Sequence, residues 1–414
     1  MQIIILAGGE GKRMWPIQTD KCLIPFLGKP LIYHNLLKIR ENLGTAEFII
    51  VATPQNKNQV SEIAQVLGLK FSVVAQQQPK GMADALLSAK DLINGEVLVV
   101  NAEDILDLTK VETNGDVLLR GLKVNKYFPG GYIENVKGQN SKVKSIVEKP
   151  GEGNEPSDLV KLVADYFKDG KKLIEYLEKV SSENDDVYEM ALGQMIKDGL
   201  DIRFSKYDGV WLPLKYPWHI LDIMKYFLDK IETEDKVLIE EGAKVFEGAV
   251  IKGPCYIGKN CIVGNNSIVR ESNLEEGCVT GFSSDITRSY IGANCWFHTN
   301  YIGDSVIEGD LGMGSGAVLA NLRLDNKTIT IKEHGIDTGR SKLGLIAGIG
   351  VRIGVNASTM PGVRVGSNCL IGPGVVLKQD LKENKKITLK QESFEIEDYQ
   401  ASQTSYDQFR DNLK

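Results

Sequence analysis

Over the first 233 residues, apolar positions come in short runs separated by amphipathic stretches. The runs Gln2–Leu6, Glu47–Ala52, Lys70–Ala75, Val97–Asn101, Val117–Val124, Lys142–Glu148 and Ile202–Tyr207 predict strands, because each is short and rich in aliphatic residues. The stretches Pro30–Glu41, Asn56–Leu67, Ala83–Lys90, Asp158–Phe167, Lys171–Lys179, Asp186–Asp198 and Trp218–Ile231 predict helices. This alternation implies an α/β layered domain with a mostly parallel sheet, residues 1–233. Ligands of such sheets bind beyond the carboxyl ends of the strands.

From residue 234 the period changes. Ile239, Val245, Ile251, Ile257, Val263 and Val269 recur every sixth residue, with Ala243, Ala249, Cys255, Cys261 and Ser267 four places after most of them. The same phase returns as Ile353, Thr359, Val365, Ile371 and Leu377, with Ala357, Val363, Cys369 and Val375 as small or slim partners. Ile291, Phe297, Leu311 and Ala317 carry it between the two runs. A six-residue repeat predicts an all-β parallel β-helix over residues 234–381, with aliphatic side chains filling its interior and small ones at its corners. Leu322 to Lys342 breaks the period and is polar, which predicts a loop thrown out on the functional face. Residues 382–414 are charged and unpatterned, and predict a tail.

Composition narrows the classes. The 414 residues are 42% hydrophobic and 25% charged, as in soluble globular proteins. A net charge of −6 argues against a nucleic-acid partner. No stretch has the length and apolarity of a membrane span or a signal peptide, so no membrane partner and a cytoplasmic location are expected. The six cysteines form no CxxC pair; three fall on small positions of the repeat, where packing explains them.

The first strand ends in Leu6, Ala7, Gly8, Gly9 and Gly11, followed by Lys12 and Arg13. Glycines let bare amides approach a ligand, and the cations add positive charge, so a phosphate is the expected occupant. The spacing is neither a P-loop nor the Rossmann fingerprint, because Arg13 follows Lys12 and Met14 stands where a third glycine would. The longer pattern G-x-G-x-R-M-x-P, then Lys21, then Gly28-Lys29-Pro30, resembles the signature of sugar-1-phosphate nucleotidylyltransferases. AQQQPKGMADAL and SIVEKP resemble two further segments of that family. Lys12 stands for the family's Thr, Asp20 for the Pro before its catalytic Lys, and the link from Pro16 to Lys21 is shorter.

The resemblance implies a Rossmann-like nucleotidyltransferase domain acting on a nucleoside triphosphate and a sugar 1-phosphate. It gives Leu6, Ala7, Gly8, Gly9, Gly11, Gln76 and Gly81 to the nucleotide, and Arg13 and Lys21 to phosphate neutralisation. It gives Glu148 and Lys149 to the sugar phosphate. It also implies magnesium, with Asp104 as ligand and Glu103 as alternative. The family's second acid lies in W-x-D-x-G; here WLPLK puts Pro213 and Lys215 at the Asp and Gly positions. Asp208 as a substitute acid, Lys215 as partial replacement of the ion's charge, and a weakened transferase are the options left. His34, Trp218 and His219 read as packing residues.

The coil carries WFHTNYIGDSVI, a glycine-rich hexad, then Asn321 and Lys327. This resembles the acetyltransferase half of bifunctional enzymes that acetylate an amino-sugar 1-phosphate. The resemblance implies a left-handed, trimer-forming β-helix and acetyl-CoA as co-substrate, bound near Ala347 between subunits. It makes His298 the base, while Tyr301, Asn321 and Lys327 hold the amino-sugar phosphate. The family's sugar-phosphate Lys falls at Thr287, with Arg288 adjacent. Two other readings stay open: one activity, such as mannose-1-phosphate guanylyl transfer, on a trimerising or regulatory coil, or a sugar-nucleotide-binding regulatory subunit. UTP or dTTP is the expected nucleotide.

Overall fold

In the computed structural model, the described residues are 1–390 without 10, 45, 79, 109–110, 136–140, 183–185, 332 and 334. The predicted tail therefore lies largely outside them. Gln2–Ala7 is buried at every position and pairs in parallel with Glu47–Ala52 on one side and Val97–Asn101 on the other. Ile3, Ile5 and Ala7 pack on one face with helices Leu31–Leu43 and Lys57–Val66, while Ile4 and Leu6 pack on the other with Met82–Ser88. A strand covered on both faces reads as a continuous apolar run.

The sheet has nine strands and is mixed rather than mostly parallel. The stretch expected as helix Asp158–Phe167 forms the strand Leu159–Phe167, which runs antiparallel to both Val97–Asn101 and Val117–Lys123. Its strand-forming Val, Tyr and Phe outweighed its helical spacing once it lay in the middle of the sheet. A further strand, Gly131–Asn135, sits beside Val143–Glu148 and was not expected.

Val237–Ile239 opens a three-sided parallel β-helix, whose sheets have seven, eight and seven strands. Coil follows coil in register, as in the column Leu238, Tyr256, Asn273, Tyr290, Val306, Ile346 and Arg364. Ile257, Val263, Val269, Ile291, Phe297, Leu311 and Ala317 are buried in its interior, and so are the small Cys255, Cys261 and Ser267. The first coil departs from expectation: Ile239 and Val245 are 46% and 41% exposed, because that coil has a neighbour on one side alone. The coil continues past residue 381, since Lys386–Ile387 pairs with Leu370–Ile371.

The excursion between Leu322 and Lys342 is not a free loop. Thr330–Ile331 and Ile336–Asp337 form a small hairpin, and Ile329 and Ile331 are buried against the first domain. Arg340 pairs there with Asp222 of helix His219–Asp229. The two domains share one apolar cluster, in which Phe26 meets Phe227 and Tyr290 at 5.5 and 5.6 Å.

Candidate active sites

The first site is assembled at the carboxyl end of Gln2–Ala7. The backbone turns sharply at Gly11, whose φ of 64° belongs to the left-handed region that glycine adopts freely. Leu6 and Ala7 contribute no free carbonyl: Ala102 N–H donates to the first and Asn56 Nδ2 to the second, at 3.0 and 2.9 Å. Gln76 is buried, and its amide nitrogen donates to the Gly81 carbonyl at 3.2 Å and to Asp84 Oδ2 at 2.7 Å. This turns its oxygen toward Gly8, where a Cβ would stand 2.5 Å away. Gln76, Gly81 and Gly8 therefore meet, and Asp84 is the positioning group that sequence reading missed.

Lys21 starts a short 3₁₀ turn capped by Asp20, which accepts from Cys22 N–H at 3.2 Å. Its ammonium pairs with Glu103 and lies 3.6 Å from where a Gly9 Cβ would be. Burial pushes the Glu103 carboxyl up to about 7, against the opposing pull of Lys21. Arg13 is exposed and makes neither a hydrogen bond nor an ion pair among the described residues. Glu148 pairs with Lys149 at 2.9 Å and faces Gly131, where a Cβ would stand 3.1 Å from its Oε2. Lys161 lies on the same face, its Cβ 3.7 Å from that point.

The expected metal site has a different composition. Burial raises the Asp104 carboxyl, whose Oδ2 accepts from Trp211 Nε1 at 3.1 Å. Glu103 is committed to Lys21. Asp208 is exposed and pairs with Lys206 at 3.1 Å, so it does not replace the missing acid. No group of three His, Cys, Asp or Glu among the described residues converges on a point. Asp104 is one carboxylate beside a buried ammonium: the described residues offer no all-protein cage for magnesium, and an ion there would depend on substrate phosphates for the rest of its shell. His219 does more than pack: its Nδ1–H donates to the Pro213 carbonyl at 2.7 Å. His34 packs as expected, its Nε2 2.8 Å from the Phe26 carbonyl and its ring 4.3 Å from Phe227.

On the coil, Arg288 grips Asp304 with two bonds of 2.7 and 2.8 Å, and Asn321 Nδ2 donates to the same carboxylate. A Cβ at Gly303 would stand 2.5 Å from Asn321 Nδ2 and 2.7 Å from the Tyr301 hydroxyl. Arg288, Tyr301 and Asn321 are thus brought together, with Asp304 as their hub. Asp304 closes the motif H-x-x-Y-x-G-D, which was the available signal for it. The His298 ring is exposed, without a hydrogen bond among the described residues, and Lys327 stands on the exposed excursion. Ala347 points into the coil interior, so its methyl is closed to any ligand.

Comparison with known proteins agrees with this two-part architecture. The nucleotidyl transferase family matches residues 2–212, and the bacterial transferase hexapeptide family matches residues 236–271. The chain belongs to the nucleotidyl transferase family, among the members that carry a hexapeptide-repeat second half. A bifunctional sugar-1-phosphate nucleotidylyltransferase/acetyltransferase of Sulfurisphaera tokodaii is 32% identical over 389 residues, 87% of this chain and 93% of that protein. The bifunctional protein GlmU of Methanocaldococcus jannaschii is 34% identical over 385 residues, 87% of this chain and 91% of that one. A glucose-1-phosphate thymidylyltransferase of Xanthomonas campestris is 32% identical over 181 residues, 41% of this chain and 60% of its own.

Proposed function

We propose that the chain transfers a nucleoside monophosphate from UTP or dTTP to a sugar 1-phosphate, releasing pyrophosphate. We propose further that its coil N-acetylates an amino-sugar 1-phosphate with acetyl-CoA. The observation that carries the first activity is the Lys21 ammonium, held by Glu103 beside Gly9 of the glycine turn, with Arg13 exposed alongside. The sugar phosphate oxygen attacks the α-phosphorus and the bond to pyrophosphate breaks, with no proton transferred. Two anions must meet, so alignment and charge neutralisation supply the rate. Arg13 takes the outgoing phosphates in two-pronged fashion and Lys21 the α-phosphate. Gln76, Gly8 and Gly81 receive the base, and Glu148 and Lys149 the sugar. Magnesium enters, in this reading, as a companion of the triphosphate rather than as a resident of the protein.

On the coil, His298 removes the proton that frees the amine to attack the acetyl thioester, and coenzyme A thiol leaves. Tyr301, Asn321 and Arg288 receive the sugar phosphate, with Lys327 reaching in from the excursion. Acetyl-CoA lies along the coil near the backbone of Ala347. The coil trimerises the chain; exposed Phe282, Trp296 and Leu324, at 60%, 57% and 104%, suit a surface that a second copy covers. A cytoplasmic location goes with these proposed substrates.

Lys21→Ala is expected to cut pyrophosphate release by about a hundredfold or more and to spare thiol release from acetyl-CoA; His298→Ala should do the reverse. Loss of both activities from either single change contradicts two independent sites. Nucleotide-sugar binding without any transfer would favour the regulatory-subunit reading, which the proline at position 213 motivates.

A further inference from the structure

The turn that carries Pro213 in place of an acid delivers a cation to the same neighbourhood. The Lys215 ammonium is largely buried and makes one hydrogen bond, to the Pro129 carbonyl at 2.8 Å. It lies 3.7 Å from the centre of the Phe128 ring. That ring meets Trp211 edge-on at 4.6 Å, and Trp211 in turn holds Asp104. Asp104, Arg13, Glu148 and Lys149 are the charged groups that act on Lys215. The reaction proposed above assigns Arg13, Glu148 and Lys149 among these to its two substrates.

No carboxylate stands within ion-pair distance of this ammonium among the described residues. A buried cation with one neutral acceptor has two N–H donors left over and an unfavourable environment. An anion arriving from solvent relieves both. His219 fixes the turn two residues ahead of Lys215, since its Nδ1–H donates to the Pro213 carbonyl.

We propose that Lys215 contacts the phosphate at the point of transfer and supplies the positive charge for which the donor set offers no protein-held divalent ion. The proposal rests on the transferase reading. Lys215 keeps its proton throughout: the attacking phosphate oxygen forms its bond to the α-phosphorus, the bond to pyrophosphate breaks, and the ammonium balances the added negative charge on the phosphate oxygens. A lysine in place of the family's glycine and a proline in place of its aspartate are then one paired exchange, a carboxylate and ion for an ammonium.

The test uses calorimetry with UDP-glucose and dTDP-glucose in EDTA, alongside pyrophosphate release. If the unaltered protein binds neither nucleotide sugar, the transferase reading itself fails. If it binds one, that affinity is expected to change less than about threefold on adding magnesium, and Lys215→Met should weaken it at least about tenfold in EDTA. Turnover of Lys215→Met should fall by about a hundredfold. Lys215→Arg should recover part of the binding, because the charge returns in a different shape. Pro213→Asp combined with Lys215→Gly should restore binding that tightens about tenfold with magnesium. Binding and turnover of Lys215→Met within about threefold of the unaltered protein overturn the proposal. Should Lys215→Met fail to fold, the unaltered protein still decides: tightening by more than about tenfold on adding magnesium overturns it, and indifference to magnesium supports it.

Discussion

Gly8 shows how tightly the nucleotide end is specified at the level of one atom. A methyl group there would stand 2.5 Å from Gln76 Oε1, and Gln76 is already fixed by Gly81 and Asp84. Gly8→Ala should therefore push Gln76 off the base and weaken nucleotide affinity by about tenfold, with a lowered thermal midpoint because the buried bonds of Gln76 loosen. Calorimetry with UTP and a melting scan check both halves of that statement. The glycines, Arg13, Lys21 and Gln76 were legible because each is a chemically distinctive residue at a fixed offset from a strand end. Asp84 and Asp304 were not, and Lys215 was legible only as one of three options for the missing acid. An acid or a lysine in a sequence looks the same whether it faces water or anchors a site, and only the fold brings Asp304 between Arg288 and Asn321.

The element most misleading in sequence is Leu159–Phe167. Val160, Val163, Ala164 and Phe167 have helical spacing, and Lys161 and Asp165 stand four apart like a helix-surface ion pair. In the fold that pair is buried in a strand, 2.8 Å long, with side chains 2% and 0% exposed. Tyr188 also donates to Asp165 at 2.8 Å. Asp165→Asn leaves the buried ammonium with Glu189 alone, 4.0 Å away, and should cost about 3 kcal/mol in denaturant unfolding. Replacing both partners by apolar residues, Lys161→Met with Asp165→Leu, should recover most of that loss. The hexads were legible for the opposite reason: a period that repeats coil after coil is a signal that no single substitution hides, and even the polar Thr359 is fully buried in phase. The exposed first coil was not, since periodicity says nothing about where a stack ends.

At the scale of the molecule, the docking of the two domains left no trace in any local pattern. Its contacts join residues hundreds of positions apart. Glu275 of the coil accepts Gly28 N–H at 3.2 Å and Asn273 Nδ2 at 2.9 Å. Burial, helped by Glu276 and Glu240, raises its carboxyl from 4.5 to about 7. The folded protein thus binds that proton more tightly than the unfolded chain does. Its contribution is fully present below pH 4.5 and is lost as pH rises through about 7. Glu275→Gln, which cannot ionise, should be more stable than the unaltered protein at pH 8 by up to about 3 kcal/mol, with the gap closing toward pH 5. Melting scans of both proteins across that range measure it.

The segment that bears Lys21 is gripped from the coil on three sides. Glu308 Oε1 accepts from the Gln18 and Thr19 amides and the Thr19 hydroxyl at 2.8, 2.6 and 2.7 Å. Trp15 bonds Glu383 and lies between Arg364 and Lys382, whose charged ends are 4.5 and 4.2 Å from its ring. Gly28 rests on Glu275. The halves are consequently poor spare parts for one another's relatives. A front half grafted onto a foreign coil would keep every residue of its own pocket and still lose the seat beneath its lysine, unless Glu275, Glu308 and Glu383 travelled with it.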